Sequence, residues 1–382
     1  MNWVVWLGLA ASMVAVVLGV GFTHVSYDAG ACAQAALLIP VHVVKAVACV
    51  GEAAFHLGHT FGFVVNELLA GGLDFASTTV ADDSKAPFVP KMDGTAVVIT
   101  GASSGIGEDV ALLAAGAGAR LLLAARRIEK LSTVAARCRD AGAEAVHVLQ
   151  YDATKPEDAH ALVSTAVNKL GGIDVLVLNA GTAGPWSRVE DLDNVDVLHW
   201  LMEVNYWGYV RAAHAAIPHL ITSKGRLVAV GSFYGRIPAP FQAGYSATKH
   251  AVNGFFDTLR PELARHGVSV TLHLPGGVKT EVQHKFLRAG SEAGHATLDM
   301  PSAFLASSRD CAASIIWAAF RRAPEAYFPL YAGLAAHVRH MFPSLFDTGF
   351  THLVSSFMES STFTLTPHND AAAAAAAAQD KL

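Results

Sequence analysis

Tyr245 and Lys249 stand four residues apart, and Ser232 lies thirteen residues before the tyrosine. On a helix, positions i and i+4 share a face, so the phenol and the ammonium would lie side by side. A free phenol titrates near pH 10 and is a poor acid or base at neutral pH. A neighbouring ammonium favours the phenolate and moves the group toward a working range. A serine hydroxyl beside the phenol would hold a carbonyl or hydroxyl oxygen in place. Tyr-x-x-x-Lys by itself is common on ordinary helix surfaces; the serine and the motifs that follow give it weight.

A second constellation is the run Thr100-Gly101-Ala102-Ser103-Ser104-Gly105-Ile106-Gly107, which sits between the apolar run AVVIT (96–100) and a helical stretch over 106–117. Its glycines permit a tight turn and close backbone approach, and a helix starting near Ile106 points free N–H groups at a pyrophosphate. A glycine-rich turn alone is a weak signal, but at the first strand-to-helix junction it is a strong one.

The elements that must position these residues follow from hydrophobic periodicity. Strands are expected at 96–100, 121–125, 145–152, 175–179, 226–232 and 268–275, with helices at 106–117, 128–141 and 156–170 between the first four. Short β-branched runs alternating with helices of this length build βαβ units, hence an α/β, doubly wound parallel sheet of Rossmann type.

The turn has the spacing T-G-x-x-x-G-x-G, and further motifs follow in order: Asn179-Ala180-Gly181 after the fourth strand, Asn205 in the helix VNYWG, Ser232, Tyr245-x-x-x-Lys249, and Pro275-Gly276-x-Val278-x-Thr280. In this set and spacing the chain resembles the short-chain dehydrogenase/reductases over about residues 91–340. From Cys311 onward it is most like the membrane-anchored dehydrogenase/reductase member 7-like and hydroxysteroid-dehydrogenase-like subgroup. The resemblance implies a catalytic set of Asn205, Ser232, Tyr245 and Lys249. It also implies cofactor contacts from Gly101, Ser103, Ser104, Gly105, Ile106, Gly107, Asn179, Ala180, Gly181, Pro275, Gly276, Val278 and Thr280. Asp152 and Ala153 resemble the adenine contact, Lys249 should also bond the nicotinamide ribose, and Asn205 would hold a water that relays protons from Lys249. No metal is expected. In such enzymes the segment after Pro275–Thr280, here about 281–301, covers an apolar substrate.

The cofactor itself is read from the end of the second strand. A carboxylate there would bind a ribose 2′-hydroxyl and repel a 2′-phosphate. This chain has Ala125 followed by Arg126 and Arg127, so NADP is expected in preference to NAD, with Arg126 as the 2′-phosphate ligand.

Composition sets the remaining bounds. The chain has 382 residues, 52% hydrophobic and only 15% charged, so it can bury a large core. A net charge of −5 without a basic block argues against a nucleic-acid partner. Cys32, Cys49, Cys138 and Cys311 form no C-x-x-C pair, which excludes a disulfide framework or a zinc site of that spacing. Trp3 to Phe22 is twenty residues without a charge, long enough to span a bilayer. The expected organisation is a transmembrane or signal-anchor helix at 1–27, an apolar helical region with a linker at 28–90, a catalytic domain at 91–345, and a tail at 346–382 that contains a poly-alanine run. The resemblance implies the endoplasmic reticulum membrane, a lipophilic carbonyl or alcohol substrate, and a homodimer or a membrane-complex neighbour as partner. Two functions follow: an NADP-dependent oxidoreductase of steroids, retinoids or other lipids, or an accessory NADP-binding subunit of a membrane complex. The intact catalytic set favours the first.

Overall fold

The computed structural model describes residues 89–192, 194–280, 286–287, 295–296 and 305–360. Within them the chain alternates β1 (Ala96–Thr100), α1 (Gly105–Gly116), β2 (Arg120–Ala125), α2 (Ile128–Asp140), β3 (Ala145–Gln150), α3 (Pro156–Leu170) and β4 (Val175–Leu178). It continues through α4 (Asp196–Met202), a π-helical turn (Glu203–Trp207), α5 (Gly208–Ser223), β5 (Arg226–Val230), α6 (Ala243–Ala264) and β6 (Ser269–Pro275). The short pair β7 (Phe286–Leu287) and β8 (His295–Ala296) precedes α7 (Ser308–Phe320), β9 (Glu325–Phe328), α8 (Leu330–Met341) and α9 (Pro343–Ser360).

Seven strands form one sheet in the order β3-β2-β1-β4-β5-β6-β9, every neighbour parallel. A parallel sheet covered on both faces needs strands that are apolar throughout, and the AVVIT and VLVL strands are buried at every position. On one face α3, α5 and α6 deliver Leu162, Ala166, Ala212, Ala216, Val252 and Phe256 onto Val98, Leu122, Leu176 and Leu272. On the other, α1 packs between α2 and α7. The six expected strands and three expected helices are all present, within a residue or two at their ends. The seventh strand was not among them. EAYF is a short edge strand with a single fully buried residue, so it carries neither an alternating nor a continuous apolar signature.

Strand order reverses between β1 and β4, which are neighbours although β2 and β3 intervene in sequence. In an open α/β sheet the crevice outside the carboxyl ends of the strands at such a reversal is where ligands bind. The two strand ends are tied there by side chains. The Thr100 hydroxyl accepts from the backbone N–H groups of Asn179 (3.0 Å) and Ala180 (3.1 Å), and Asn179 Nδ2 donates to the carbonyls of Thr100 (3.2 Å) and Gly101 (3.3 Å). Gly101 has φ +70°, and a Cβ there would sit 2.8 Å from Ala180 Cα. Only glycine meets both demands without strain.

The expected anchor at 3–22, the region 28–88 and the poly-alanine tail lie outside the described residues. Among the described residues no helix is long and apolar enough to cross a membrane.

One buried titratable group belongs to the core rather than to the crevice. His273, in β6, is fully buried and shares a 3.0 Å hydrogen bond between Nε2 and Ser314 Oγ on α7. Burial pushes its pKa down to about 3. The unfolded chain takes up a proton on this residue near pH 6.5 while the folded chain stays neutral, so stability falls as pH drops from about 6.5 toward 3. Acidification from pH 7 to 5 should remove about 2 kcal/mol of stability through this one side chain. Urea unfolding at the two pH values checks it, and His273→Gln should lose correspondingly less on acidification than the unsubstituted chain.

Candidate active site

The carboxyl ends of β5 and β6 and the start of α6 converge beside the reversal point. β5 ends at Val230, and the chain leaves it through Gly231 and Ser232. Ser232, extended and buried, begins a 3₁₀ turn over Phe233–Gly235 by accepting the Tyr234 N–H at 3.2 Å. Asn253 on α6 pins that turn from below, with Nδ2 donating to the Gly235 carbonyl at 2.9 Å. The serine is therefore held by its own backbone and by the helix that carries its partners.

Tyr245 and Lys249 lie one turn apart on α6. Burial pushes the Tyr245 phenol up to about 12, with the Ser232 hydroxyl hydrogen bond pulling in the opposite direction. Burial pushes Lys249 down to about 8. The ammonium donates to the Val230 carbonyl at 3.1 Å and stands 5.6 Å from the Tyr245 ring centre and 5.4 Å from that of Tyr209. Sequence spacing predicts that the lysine depresses the tyrosine pKa. In the folded chain the ammonium is turned onto a backbone carbonyl, and burial dominates: the phenol keeps its proton at neutral pH. This is the state a proton donor to a carbonyl oxygen requires.

Asn205 sits in the π-helical turn, where one extra residue widens the helix and re-aims its side chain. It is fully buried, accepting from the Thr182 N–H at 2.8 Å and donating to the Thr182 carbonyl at 2.9 Å and to Thr248 Oγ1 at 3.2 Å. It thus straps the loop after β4 to α6, next to Lys249. A Cβ on Gly181 would lie 3.3 Å from Asn205 Oδ1 and 4.0 Å from Lys249 Nζ, so the Asn179-Ala180-Gly181 backbone passes directly over this strap.

The glycine-rich turn forms the opposite wall. α1 begins at Gly105 without a side-chain cap on its first N–H groups, and those groups face the crevice end of the sheet. A Cβ at Gly107 would collide with the Gly101 carbonyl oxygen, and one at Gly105 would come within 3.1 Å of the Thr280 methyl. The turn therefore packs against the loop Pro275–Thr280 that leaves β6. That loop is itself anchored, Val278 bridging to Ala306 and Lys279 N–H donating to the Ala306 carbonyl at 2.9 Å. An uncapped helix start with small residues over it suits a phosphate group.

The two arginines after β2 take different environments. Arg126 is exposed, whereas the Arg127 guanidinium donates through Nη2 to Ser104 Oγ at 2.8 Å and Ser103 Oγ at 3.2 Å. Strand β2 is buried from Leu121 to its end at Ala125, and the two arginines follow in the turn before α2, where the exit of the strand decides their directions. Asp152 is held by its own loop: Oδ1 accepts from the Thr154 N–H (3.0 Å) and hydroxyl (2.8 Å). Burial alone would raise this carboxyl, but the Thr154 bonds, aided by the Arg126 and Lys155 charges, bring it below its usual value. Ala153 packs against Gly208 at the start of α5, which leaves no room for a side chain on that glycine.

These features bring a glycine-rich turn and the set Ser232, Tyr245 and Lys249 to one crevice of a Rossmann-type sheet. Residues 95–289 match the family model described as short chain dehydrogenase. The chain belongs to this family and is a short-chain dehydrogenase/reductase enzyme. It is 36% identical over 260 residues to the hydroxysteroid 11-beta-dehydrogenase 1-like protein of Danio rerio, covering 67% of this chain and 86% of that protein. It is 41% identical over 204 residues to the 11-beta-hydroxysteroid dehydrogenase A of Sesamum indicum, covering 53% of this chain and 58% of the other. Among solved structures, the alcohol dehydrogenase of Thermococcus sibiricus complexed with 5-hydroxy-NADP aligns with a TM-score of 0.53 at 26% identity, covering 61% of this chain and 95% of that one.

The Lys249 value has a kinetic consequence. Below about pH 8 the ammonium is charged, and above it the charge beside the phenol is lost. The pH dependence of kcat/KM reports groups of the free enzyme. For reduction, kcat/KM for the cofactor should fall on the alkaline side with a pKa near 8. Lys249→Arg, which stays charged, should move that fall upward by more than one pH unit even if its absolute rate is lower.

Proposed function

We propose that this enzyme is an NADP(H)-dependent oxidoreductase that interconverts a lipophilic secondary alcohol and its ketone, or an aldehyde and its alcohol, of steroid or similar lipid type. The observation that carries this reading is the convergence of Ser232, Tyr245 and Lys249 at the carboxyl end of the sheet, across the crevice from an uncapped helix start with Arg127 over it. The names of the hydroxysteroid dehydrogenase relatives support the substrate class.

The residues fit a dinucleotide. Ser103, Ser104 and the first N–H groups of α1 would hold the pyrophosphate, and Arg127 the 2′-phosphate. Asp152 and Ala153 would flank the adenine, while Asn179–Gly181 and Pro275–Thr280 would hold the ribose and nicotinamide. When bound, the cofactor supplies or accepts the hydride. The chain does the rest. Ser232 hydrogen-bonds the substrate oxygen and fixes it against the phenol. In reduction Tyr245 donates its proton to that oxygen as the carbon receives hydride; in oxidation the phenolate takes the proton back. Lys249 places a positive charge beside the phenolate and stabilises it at the moment it forms.

The direct test is NADPH consumption against a panel of steroid, retinoid and fatty carbonyls. Turnover should appear on at least one of them and be lost in Tyr245→Phe, with NADPH binding retained. Turnover in Tyr245→Phe above a few per cent of the parent rate would refute the acid–base assignment. The preference for NADP rests on the same chemistry. Arg127→Ser with Ala125→Asp removes a guanidinium and adds repulsion to a 2′-phosphate. It should lower the NADPH/NADH ratio of kcat/KM by at least about a hundredfold, as expected for a charge-assisted pair lost and a like charge gained. An unchanged ratio would contradict this cofactor assignment.

The membrane half of the reading is supported by sequence: twenty uncharged residues at 3–22 and an apolar region at 29–73 with only Lys45, Glu52 and Glu67 charged. An anchor in the endoplasmic reticulum membrane would keep the crevice near dissolved lipid substrates. Under alkaline carbonate extraction the full chain should remain in the pellet. A chain starting near residue 86 should become soluble and keep activity on a small water-soluble carbonyl. Release of the full chain by carbonate would remove the anchor from the account.

A further inference from the structure

An aromatic side chain from the far end of the sheet reaches both halves of the catalytic crevice. Tyr331, in the first turn of α8, accepts the Gly277 N–H on its hydroxyl at 2.7 Å. A Cβ on Gly276 would meet the same hydroxyl oxygen at 2.8 Å, so the phenol lies flush against the loop that follows β6. The preceding N–H, of Gly276, donates to the Phe328 carbonyl at 2.7 Å. Thus two consecutive N–H groups of the loop are fixed by the segment Phe328–Tyr331.

The other side of the Tyr331 ring meets Phe233 edge-to-face at 6.2 Å. Phe233 stacks on Tyr234 at 4.4 Å, and Tyr234 meets Tyr245 edge-to-face at 6.4 Å. Phe233 and Tyr234 are the two residues after Ser232 and form its 3₁₀ turn. Edge-to-face and offset-stacked pairs are the favoured aromatic geometries, and they hold ring positions more tightly than area burial alone. Four rings therefore run from the loop Pro275–Thr280 to the acid–base phenol.

We propose that Tyr331 is a positioning residue: its hydroxyl fixes the loop that carries the nicotinamide side of the cofactor, and its ring, through Phe233 and Tyr234, sets the separation of that loop from Ser232 and Tyr245. This inference rests on the reduction chemistry proposed above. Hydride and proton arrive at adjacent atoms from opposite walls of the crevice, so the separation of those walls governs the rate more than it governs binding. Loss of the hydroxyl frees the loop; loss of the Phe233 contact frees the wall while leaving the loop bond in place.

The experiment compares Tyr331→Phe and Phe233→Leu with the parent enzyme on the best carbonyl of the panel. In Tyr331→Phe, the Kd for NADPH by fluorescence titration should rise about fivefold, the equivalent of one neutral hydrogen bond. Its kcat should fall about tenfold at saturating cofactor, and the primary isotope effect with deuterated NADPH should increase as hydride transfer becomes slower. Amide hydrogen exchange in the peptide over 275–280 should also accelerate with no cofactor present. Phe233→Leu should lower kcat and raise the isotope effect while leaving the Kd within about twofold, the range expected when no bond to the loop is lost. A purely structural role would lower the melting temperature but move neither the isotope effect nor the division between Kd and kcat. Native Kd, kcat, isotope effect and exchange in Tyr331→Phe would overturn the proposal. Turnover persisting in Tyr245→Phe would instead refute the acid–base reading, while the Kd and exchange results on Tyr331 would still be decided independently.

Discussion

The crevice exists because β1 and β4 are held together at their carboxyl ends although the chain crosses β2 and β3 between them. The tie is a small exchange of hydrogen bonds: one threonine hydroxyl accepts two backbone N–H groups from Asn179 and Ala180, and one asparagine amide donates to two carbonyls of the opposite strand end. Buried polar groups of this kind cost free energy when unpaired, so the exchange is specified as a unit. Both walls of the crevice are built outward from it. The glycine turn and α1 follow Thr100, and the Asn179–Gly181 segment runs on toward Asn205 and Lys249. A slip of either strand end would displace the phosphate wall and the catalytic wall at once.

On the wall that carries Tyr245 and Lys249, burial is the dominant electrostatic effect. It raises the Tyr245 phenol to about 12 and lowers the Lys249 ammonium to about 8, separating two groups whose ordinary values nearly coincide. The surrounding groups keep this arrangement rigid: Asn205 straps the β4 loop to α6, Asn253 pins the turn after Ser232, and the Val230 carbonyl fixes the lysine. Each comes from a different element, so the geometry depends on the whole layer of α5 and α6 being packed on the sheet. The apolar core of Phe256, Val252, Ala212 and their neighbours thus shapes the crevice, since it sets the height of α6 above β5.

Much of this was legible in the sequence because it depends on local pattern. The strands 96–100 and 175–178 are continuous apolar runs, and the helix 156–170 begins at a proline and ends before Gly171 in the left-handed conformation. Tyr245, Lys249, Ser232 and the glycine turn could be picked out by spacing, and the fold brings them to one end of the sheet. What was not legible depends on three-dimensional direction. Arg126 and Arg127 are adjacent, and only the exit of β2 decides which one turns back onto Ser103 and Ser104. Tyr331 lies 86 positions after Tyr245 with no motif around it, and its contacts with Gly277 and Phe233 arise only once the edge strand β9 has been added to the sheet. The orientation of Lys249 toward Val230 likewise follows from the packing of α6, and helix spacing alone could not supply it.

The proposed chemistry requires one crevice to hold a phosphate group and a proton donor on either side of a single reacting carbon. The most direct measurement is a crystal structure of the chain with NADP and a bound lipophilic alcohol. The 2′-phosphate should lie on Arg127 and the pyrophosphate at the start of α1. The substrate oxygen should lie within hydrogen-bond reach of both Ser232 and Tyr245, with its carbon about 3–3.5 Å from the hydride-accepting atom. A dinucleotide bound away from the start of α1, or an alcohol oxygen out of reach of Tyr245, would contradict it.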